Sequence, residues 1–385
     1  MIPPGVNIEL LILQPTPFCN IDCDYCYLPN RADTTKMHPD VARAAAARVV
    51  EAGLVGPRVS IVWHAGEPLT MGLASFEALV DAVNGAIPAS TEVTHHVQTN
   101  AMLISSDWCD LFERKSIRIG VSVDGPAFLH DAHRRTRSGK GTHERTLAGI
   151  RLLIERRIAF HAIAVVTDAT LDHPDEFYDF FSPLPLHLLG LNVEEIEGTH
   201  HRSSLQGLAT KPRYRRFMAR LFQRVQEDGF KLGVREFNSA MAAVRFSGEA
   251  MPAASDQQNV PWRIVTVDCG GQYTTFSPEL LGLAWGEDTF VIGSVQETPI
   301  HAAAASAKFQ RLEGEIAAGI RACEAGCEYF QYCGGGAPVN KYSENGSFAS
   351  TETMFCQLTR KVVLDVVAEE LAQAGRSPRV RVTAP

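Results

Sequence analysis

The chain has 385 residues, enough for two or three domains with a sizeable buried core. Hydrophobic residues make up 45% of it and charged residues 21%, the ordinary proportions of a globular protein. A formal net charge of −8 argues against general nucleic-acid binding, which draws on an excess of Lys and Arg, and no apolar run reaches the roughly 18 residues of a membrane span. The N-terminus has no basic region followed by an apolar signal core, and the nine Cys fall in two tight clusters plus two singles. That pattern points to metal or cluster binding in a reducing cytoplasm rather than to disulfides.

The first half alternates strand-like and helix-like stretches. Apolar runs predict strands at 8–14, 58–63, 92–98, 117–123, 160–167 and 187–193. Helices are predicted at roughly 38–52, 74–86, 105–114, 143–156, 174–182 and 211–228, the first including the Ala-rich 42–47. Such alternation implies a parallel sheet with crossover helices, and six strands of this kind form an open partial barrel. Sites in parallel α/β folds lie at the carboxyl ends of the strands.

The first strand runs into Cys19-Asn20-Ile21-Asp22-Cys23-Asp24-Tyr25-Cys26. Three thiols in so short a stretch can face one centre and suit a soft metal or an iron–sulfur cluster, one ligand short of a closed tetrahedral site. The plainer alternatives are a structural zinc with a distant fourth ligand, or three unrelated buried thiols. Asp22, Asp24 and Tyr25 make a poor apolar core and argue against the latter. The second strand ends in Trp63-His64-Ala65-Gly66-Glu67-Pro68, where Gly66 allows close backbone approach and Pro68 stiffens the exit.

Gln98-Thr99-Asn100 follows the third strand and Ser122-Val123-Asp124-Gly125-Pro126 the fourth; each also reads as a helix cap or Asx turn. The most basic segment, Arg134 to Lys140, is either a solvated face or, through one Arg, a carboxylate clamp. The sixth strand closes on Asn192-Val193-Glu194-Glu195-Ile196-Glu197, and strand alternation sends Glu194 and Glu195 opposite ways. One of them binds substrate or takes a proton, unless the run is an exposed acidic loop. His200 and His201 read as loop residues, not ligands.

Residues 199–210 and 248–260 read as linkers around a helix-like 234–247. The chain is thus divided into a barrel at 1–235, a helical linker at 236–260, a second domain with a C-terminal helix at 261–375 and a tail at 376–385. In the second domain, Cys323, Cys327, Cys333 and Cys356 lie within 34 residues and suffice to close a zinc or iron–sulfur site. Gly334-Gly335-Gly336 brings backbone close to these sulfurs, where N–H groups tune a cluster. Cys109, between Trp108 and Phe112, reads as core packing.

The spacing Cys-x3-Cys-x2-Cys with an aromatic before the last Cys resembles the radical SAM superfamily. The resemblance implies that Cys19, Cys23 and Cys26 hold a 4Fe–4S cluster whose open iron chelates S-adenosylmethionine (SAM), with Tyr25 beside the adenine. Ala65-Gly66-Glu67-Pro68 is similar to the family's Gly-Gly-Glu-Pro motif for the SAM amino group, with Ala65 a departure; the role passes to Gly66 and Glu67. By the same resemblance Asn100, Ser122 and Asp124 touch the cofactor's ribose and carboxylate, and Arg134 or Arg135 holds the methionine carboxylate. The C-terminal cysteines resemble a SPASM domain, the extension that carries auxiliary 4Fe–4S clusters. Ala337 stands where that pattern has a cluster Cys, and Phe276-Ser277 where a Cys-Asp pair is common. One auxiliary cluster is therefore expected, on Cys323, Cys327, Cys333 and Cys356, with Cys269 a free thiol.

The phrases Leu13 to Cys19, Trp63 to Pro68, Phe276 to Leu280 and Cys333 to Pro338 are similar to the cyclophane-forming peptide maturases of the glycine-rich-repeat type (GrrM/OscB). This resemblance implies a cytoplasmic enzyme that joins an aromatic ring carbon to a side-chain β-carbon in a ribosomal precursor peptide. A reduced cluster cleaves SAM, the 5′-deoxyadenosyl radical takes a hydrogen, and the carbon radical adds to the ring. The auxiliary cluster accepts the surplus electron and a carboxylate such as Glu194 the proton. The implied partners are the precursor peptide and an electron donor such as flavodoxin or ferredoxin; with the first strand expected from about residue 8, the leader docks on the barrel, on the SPASM surface or on a separate leader-binding protein; nucleic acid and membrane are not expected. The competing readings are a sulfatase-type (formylglycine) or thioether-forming maturase, an electron carrier, and a zinc-stabilised binding scaffold.

Overall fold

The computed structural model describes residues 2–246, 256–373 and 375. Six strands, β1 (Leu10–Leu13), β2 (Arg58–Trp63), β3 (Glu92–Thr99), β4 (Arg118–Ser122), β5 (Phe160–Val166) and β6 (Leu189–Val193), pair in parallel and in chain order. Between and after them run α1 (Pro39–Glu51), α2 (Leu73–Asn84), α3 (Ser106–Arg114), α4 (Ala127–His133), α5 (His143–Glu155), α6 (Pro174–Phe181), α7 (Thr210–Glu227) and α8 (Arg235–Phe246). This is the expected α/β partial (β/α)6 barrel. The predicted strands and helices lie within about two residues of the observed ones, a usual margin for element ends. The exception is α4, a two-turn helix directly after Pro126 that the sequence reading passed over.

Periodicity explains how the sheet separates core from site. In β5, Phe160, Ala162, Ala164 and Val166 are buried in the main core, while alternate residues Ile163 and Val165 line the site cavity. On α1, Val41, Ala42, Ala45, Ala46 and Val49 recur at helical spacing and are buried on one face. Cys109 is fully buried beside Trp108 and Phe112, as expected of core packing.

The C-terminal third continues the same sheet. Strand β7 (Ile264–Val267) pairs in parallel with β1, Leu10 opposite Ile264 and Leu13 opposite Val267. β8 (Gln272–Thr275) is antiparallel to β7; β9 (Ala284–Trp285) and β10 (Asp288–Thr289) form a small hairpin; β11 (Gly293–Ser294) closes the edge on β8. The order is β11-β8-β7-β1-β2-β3-β4-β5-β6, so β1 is an interior strand and the cysteine loop after it is central. Helices α9 (Ile300–Ala305), α10 (Ala307–Gly326), α11 (Phe330–Cys333), α12 (Pro338–Asn345), α13 (Met354–Cys356) and α14 (Val363–Gln373) follow, with a π-helical stretch at Gln357–Val362 leading into α14. α14 packs on α7 and α8. Most of the predicted linker 248–260 and the tail 376–385 lie outside the described residues.

Candidate active site

Two cavities contain seven of the nine cysteines. The larger, of about 260 Å³, is lined by Cys19, Cys23, Tyr25 and Cys26 and by residues from the ends of β2 to β6. The cysteine loop is pinned from several directions. Arg31 donates to the Cys23 carbonyl at 2.9 Å and Arg137 to the Cys19 carbonyl at 3.0 Å. Asp22 N–H donates to the Arg135 carbonyl at 2.7 Å, next to a bridge between Ile21 and Thr136. Much of the basic segment thus clasps the cysteine loop through backbone contacts and Arg137. Burial pushes the Cys19 thiol up to about 12, with Glu67 adding to it; burial does the same to Cys23, opposed by Arg134.

The β2 end fits under this loop because of Gly66. It has φ 56°, and a Cβ there would lie 2.4 Å from the Thr16 carbonyl oxygen and 2.6 Å from that of Phe18. Glu67 is 1% exposed, and its carboxylate accepts from Leu69 N–H (3.0 Å), Thr99 Oγ1 (2.8 Å) and Asn100 N–H (2.8 Å). Burial still raises it to about 7. Its oxygens therefore tie the β2 end to the β3 end. Asn100 does two jobs: Oδ1 accepts from Met102 N–H in an Asx turn (3.1 Å), and Nδ2 donates to Asn20 Oδ1 (2.7 Å) and faces Cys19 Sγ at 4.0 Å. Gln98 donates to Ser122 Oγ at 2.9 Å, and both line the cavity.

Asp124 is engaged inside the protein. It takes a bidentate pair from Arg134 (2.8 and 3.0 Å), the Tyr25 hydroxyl (2.5 Å) and Val165 N–H (2.9 Å). Burial alone would raise its carboxyl, yet Arg134 beside it holds it below the usual range. Arg134 is 7% exposed and lines the cavity, whereas Arg135 is exposed and donates to the Asp131 carbonyl. The structure thus brings Tyr25, Gly66, Glu67, Asn100, Ser122 and Arg134 to the cysteine cavity, with Asp124 behind them, and leaves Arg135 out.

Several carboxylates line the same cavity. Glu194 lines it, but its oxygens accept from His200 Nε2 (2.9 Å) and from Ser204 N–H and Oγ. Glu195, Glu197 and Glu279 line it too. Asn340 Nδ2 donates to Glu195 at 2.6 Å and Glu197 at 3.2 Å. Burial lifts Glu279 to about 7, and burial with Glu195 nearby holds Glu197 well above the carboxylate range. The buried Tyr27 hydroxyl, with no hydrogen-bond partner among the described residues, belongs to the same lining. Sequence reasoning missed Glu279, Gln98, Tyr27 and His64. A polar residue at a strand end was signal enough for Gln98 and His64; Glu279 stood in the family-like phrase Phe276 to Leu280, but nothing in the sequence placed it beside Glu197, 82 residues earlier.

The second cavity, of about 140 Å³, is lined by Cys323, Cys327, Cys333 and Cys356, all four expected auxiliary ligands. Gly334, Gly335 and Gly336, directly after the Cys333 thiol, have φ of 67°, 100° and 72°. Burial pushes that thiol up to about 11. Ala337 lines the cavity without offering a ligand, and Ser277 is bonded to Gln258 at 2.5 Å, away from both cavities. Cys269 belongs to neither lining. Among the described residues no three His, Cys, Asp or Glu side chains are gathered closely enough for one metal ion.

The sequence model of the radical SAM superfamily matches residues 13–181. The chain is 37% identical over 374 residues to an uncharacterized protein, sll1766, of a Synechocystis species, covering 95% of this chain and 92% of that one. It is 28% identical to a serine-type anaerobic sulfatase-maturating enzyme of Bacteroides thetaiotaomicron, over 58% of this chain and 59% of the relative. Among solved structures, anSMEcpe with bound AdoMet and a Cp18Cys peptide superposes with a TM-score of 0.76 at 20% identity, covering 95% of this chain and 98% of that one. At that identity the likeness speaks for the fold.

Proposed function

Because this chain belongs to the radical SAM superfamily, we propose that it is an enzyme that modifies a ribosomally made precursor peptide, forming a carbon–carbon cyclophane link between an aromatic ring and a side-chain β-carbon. The observation that supports this is one cavity lined both by the three-cysteine loop and by the carboxylates Glu194, Glu195, Glu197 and Glu279, with a separate four-cysteine cavity in the C-terminal third. A 4Fe–4S cluster and SAM, when bound, supply a 5′-deoxyadenosyl radical that removes a hydrogen atom from carbon. Cys19, Cys23 and Cys26 hold that cluster. The Gly66 turn and Asn100 hold the methionine end of SAM, Tyr25 and Ser122 flank its nucleoside, and Arg134, kept in place by Asp124, presents charge to its carboxylate. An auxiliary 4Fe–4S cluster on Cys323, Cys327, Cys333 and Cys356 is the electron acceptor by chemical class.

The peptide enters beside these carboxylates, where a ring losing its proton needs a carboxylate base. Glu194 was the expected base, but its oxygens are held by His200 and Ser204. Glu279, which lines the same cavity and is held by burial at about 7, is the better acceptor. A flavodoxin- or ferredoxin-type donor and a leader-binding protein complete the system. The relatedness to a sulfatase-maturating enzyme favours formylglycine formation as the second reading. Both reactions remove two hydrogens, so peptide fragmentation rather than intact mass separates them.

Iron, sulfide and zinc per chain after anaerobic reconstitution test the cofactor assignment. About eight irons, halved when Cys19, Cys23 and Cys26 become Ala, are expected for two cubane clusters. Zinc without iron would overturn it and leave the scaffold reading. The precursor is then sought by co-expression with candidate peptides, a ring-to-β-carbon bond being the expected product and formylglycine the result that favours the second reading.

A further inference from the structure

Lys341, on α12, is only 4% exposed, although lysine is among the residues least often buried. Its Nζ lies 3.0 Å from the Gly319 carbonyl oxygen and 3.3 Å from Cys323 Sγ. Neither of these described contacts is a carboxylate. The other two cations lining the four-cysteine cavity each have one: Arg360 pairs with Asp256 at 3.3 Å and Lys361 with Glu352 at 3.0 Å. A buried ammonium without a counter-charge costs several kcal/mol. Its placement against a cysteine sulfur points to an anion in the cavity, and a cluster on four thiolates is anionic in both of its ordinary oxidation states.

The chain is shaped to let this cation in. On α10, Gly319 comes within reach of Lys341 and of the Phe348 carbonyl. A Cβ there would stand 2.0 Å from the Phe348 oxygen and 3.2 Å from Lys341 Nζ. One helix turn later comes Cys323, so the glycine that opens the helix face and the cysteine that uses the charge are four residues apart on one side of α10.

We propose that Lys341 sets the reduction potential of the auxiliary cluster. Its fixed positive charge beside Cys323 favours the reduced, more negative form and so raises the potential, fitting the cluster to receive the electron that the substrate gives up. Lys341 acts through the cluster and is a positioning residue. The inference rests on the reading that this cavity holds an iron–sulfur cluster.

The test is a potentiometric titration followed by electron paramagnetic resonance. Full-length protein with Cys19, Cys23 and Cys26 replaced by Ala serves as parent, so that only the auxiliary site reports. K341Q keeps a donor for the Gly319 carbonyl and removes the charge; K341R keeps the charge. At equal iron content, K341Q is expected to titrate at a more negative potential, its reduction weakened at least tenfold, about 59 mV for a one-electron couple. K341R is expected to stay near the parent. Should K341Q lose iron, K341M carries the same comparison. An unshifted potential in the neutral variants overturns the proposal, as does a K341R shift as large as that of K341Q, which would mark a packing effect. A parent that binds no iron overturns the cluster reading itself, a different failure.

Discussion

Ala65 and Gly66 both have positive φ, 70° and 56°, yet only one is obliged to lack a side chain. The Cβ missing at Gly66 would collide with two carbonyl oxygens, whereas Ala65 fits its Cβ at 8% exposure and bears only the left-handed strain of roughly 1–2 kcal/mol. Ala65→Gly is therefore expected to stabilise the protein by about 1 kcal/mol in urea unfolding, part of the relief being lost to glycine's entropy. Gly66→Ala is expected to fold less stably and to lose at least ~10-fold in SAM affinity by equilibrium dialysis, about 1.4 kcal/mol. Equal SAM affinity in the two variants would refute the cradle. Glu279 supports a prediction in pH. In the fold burial places its ionisation at about 7, against 4.5 ordinarily, so the folded chain binds the extra proton between those values. Its contribution to stability is whole below about 4.5 and is lost as pH rises through about 7. Glu279→Gln should flatten the fall in stability over that window and be the more stable protein at pH 8, by on the order of 1–3 kcal/mol. Parallel pH–stability curves for the two proteins would show that Glu279 does not hold the extra proton.

Among the elements, the segment after α4 shows what a sequence reveals and what it withholds. The strands were legible because each is an apolar run ending in turn residues, and alternation with helices made the sheet parallel and placed the site at its carboxyl edge. The cysteine sets were legible because their members are local: Cys19, Cys23 and Cys26 share one loop. Arg134 to Lys140 was legible as charge and, through Arg134 or Arg135, as a carboxylate clamp, but not as a clasp on the cysteine loop. Its roles depend on contacts with residues over a hundred positions away, Arg137 with the Cys19 carbonyl and Arg135 with Asp22 N–H, which no spacing encodes. The same holds for Asp124, read as a cofactor contact and found bonded to Arg134, and for Glu279, brought beside Glu195 and Glu197 only by the fold. The clasp has a consequence for motion. Arg137→Ala removes a charged donor from the Cys19 carbonyl, a bond of the 1.5–3 kcal/mol class. Amide exchange within 19–26 is expected to quicken about 10-fold or more, as local opening becomes easier, while α10 and α12 exchange as before. Unchanged exchange in that loop would mean the arginine is a solvated surface charge.

At the scale of the whole molecule the decisive fact is that β1 has two partners. β2 lies on one side and β7 on the other, and Glu9 and Leu10 N–H donate to the Arg263 carbonyl at 2.8 and 3.0 Å. The C-terminal third also supplies Asn340 to the Glu195–Glu197 pair, the Val295 carbonyl to Arg48 at 2.8 Å, and α14 to the faces of α7 and α8. A chain ending at residue 246 would expose the β1 edge beside its cysteine loop and uncover apolar α7 and α8, both recognised causes of association. It is expected to aggregate or to melt without a cooperative transition. The full chain with Cys323, Cys327, Cys333 and Cys356 replaced by Ala is a different case, because these thiols line a cavity and none of them lies in a strand. It should keep the sheet, melt cooperatively and retain about four irons after reconstitution. A soluble, cooperatively folding 1–246 would show that β7 is dispensable to the barrel. A four-alanine protein that fails to fold would show that the auxiliary cluster is a folding element. If both expectations hold, β7 and the barrel strands are parts of one sheet that folds without the four-cysteine cavity, and the C-terminal third is held to the barrel by strand pairing rather than by a linker.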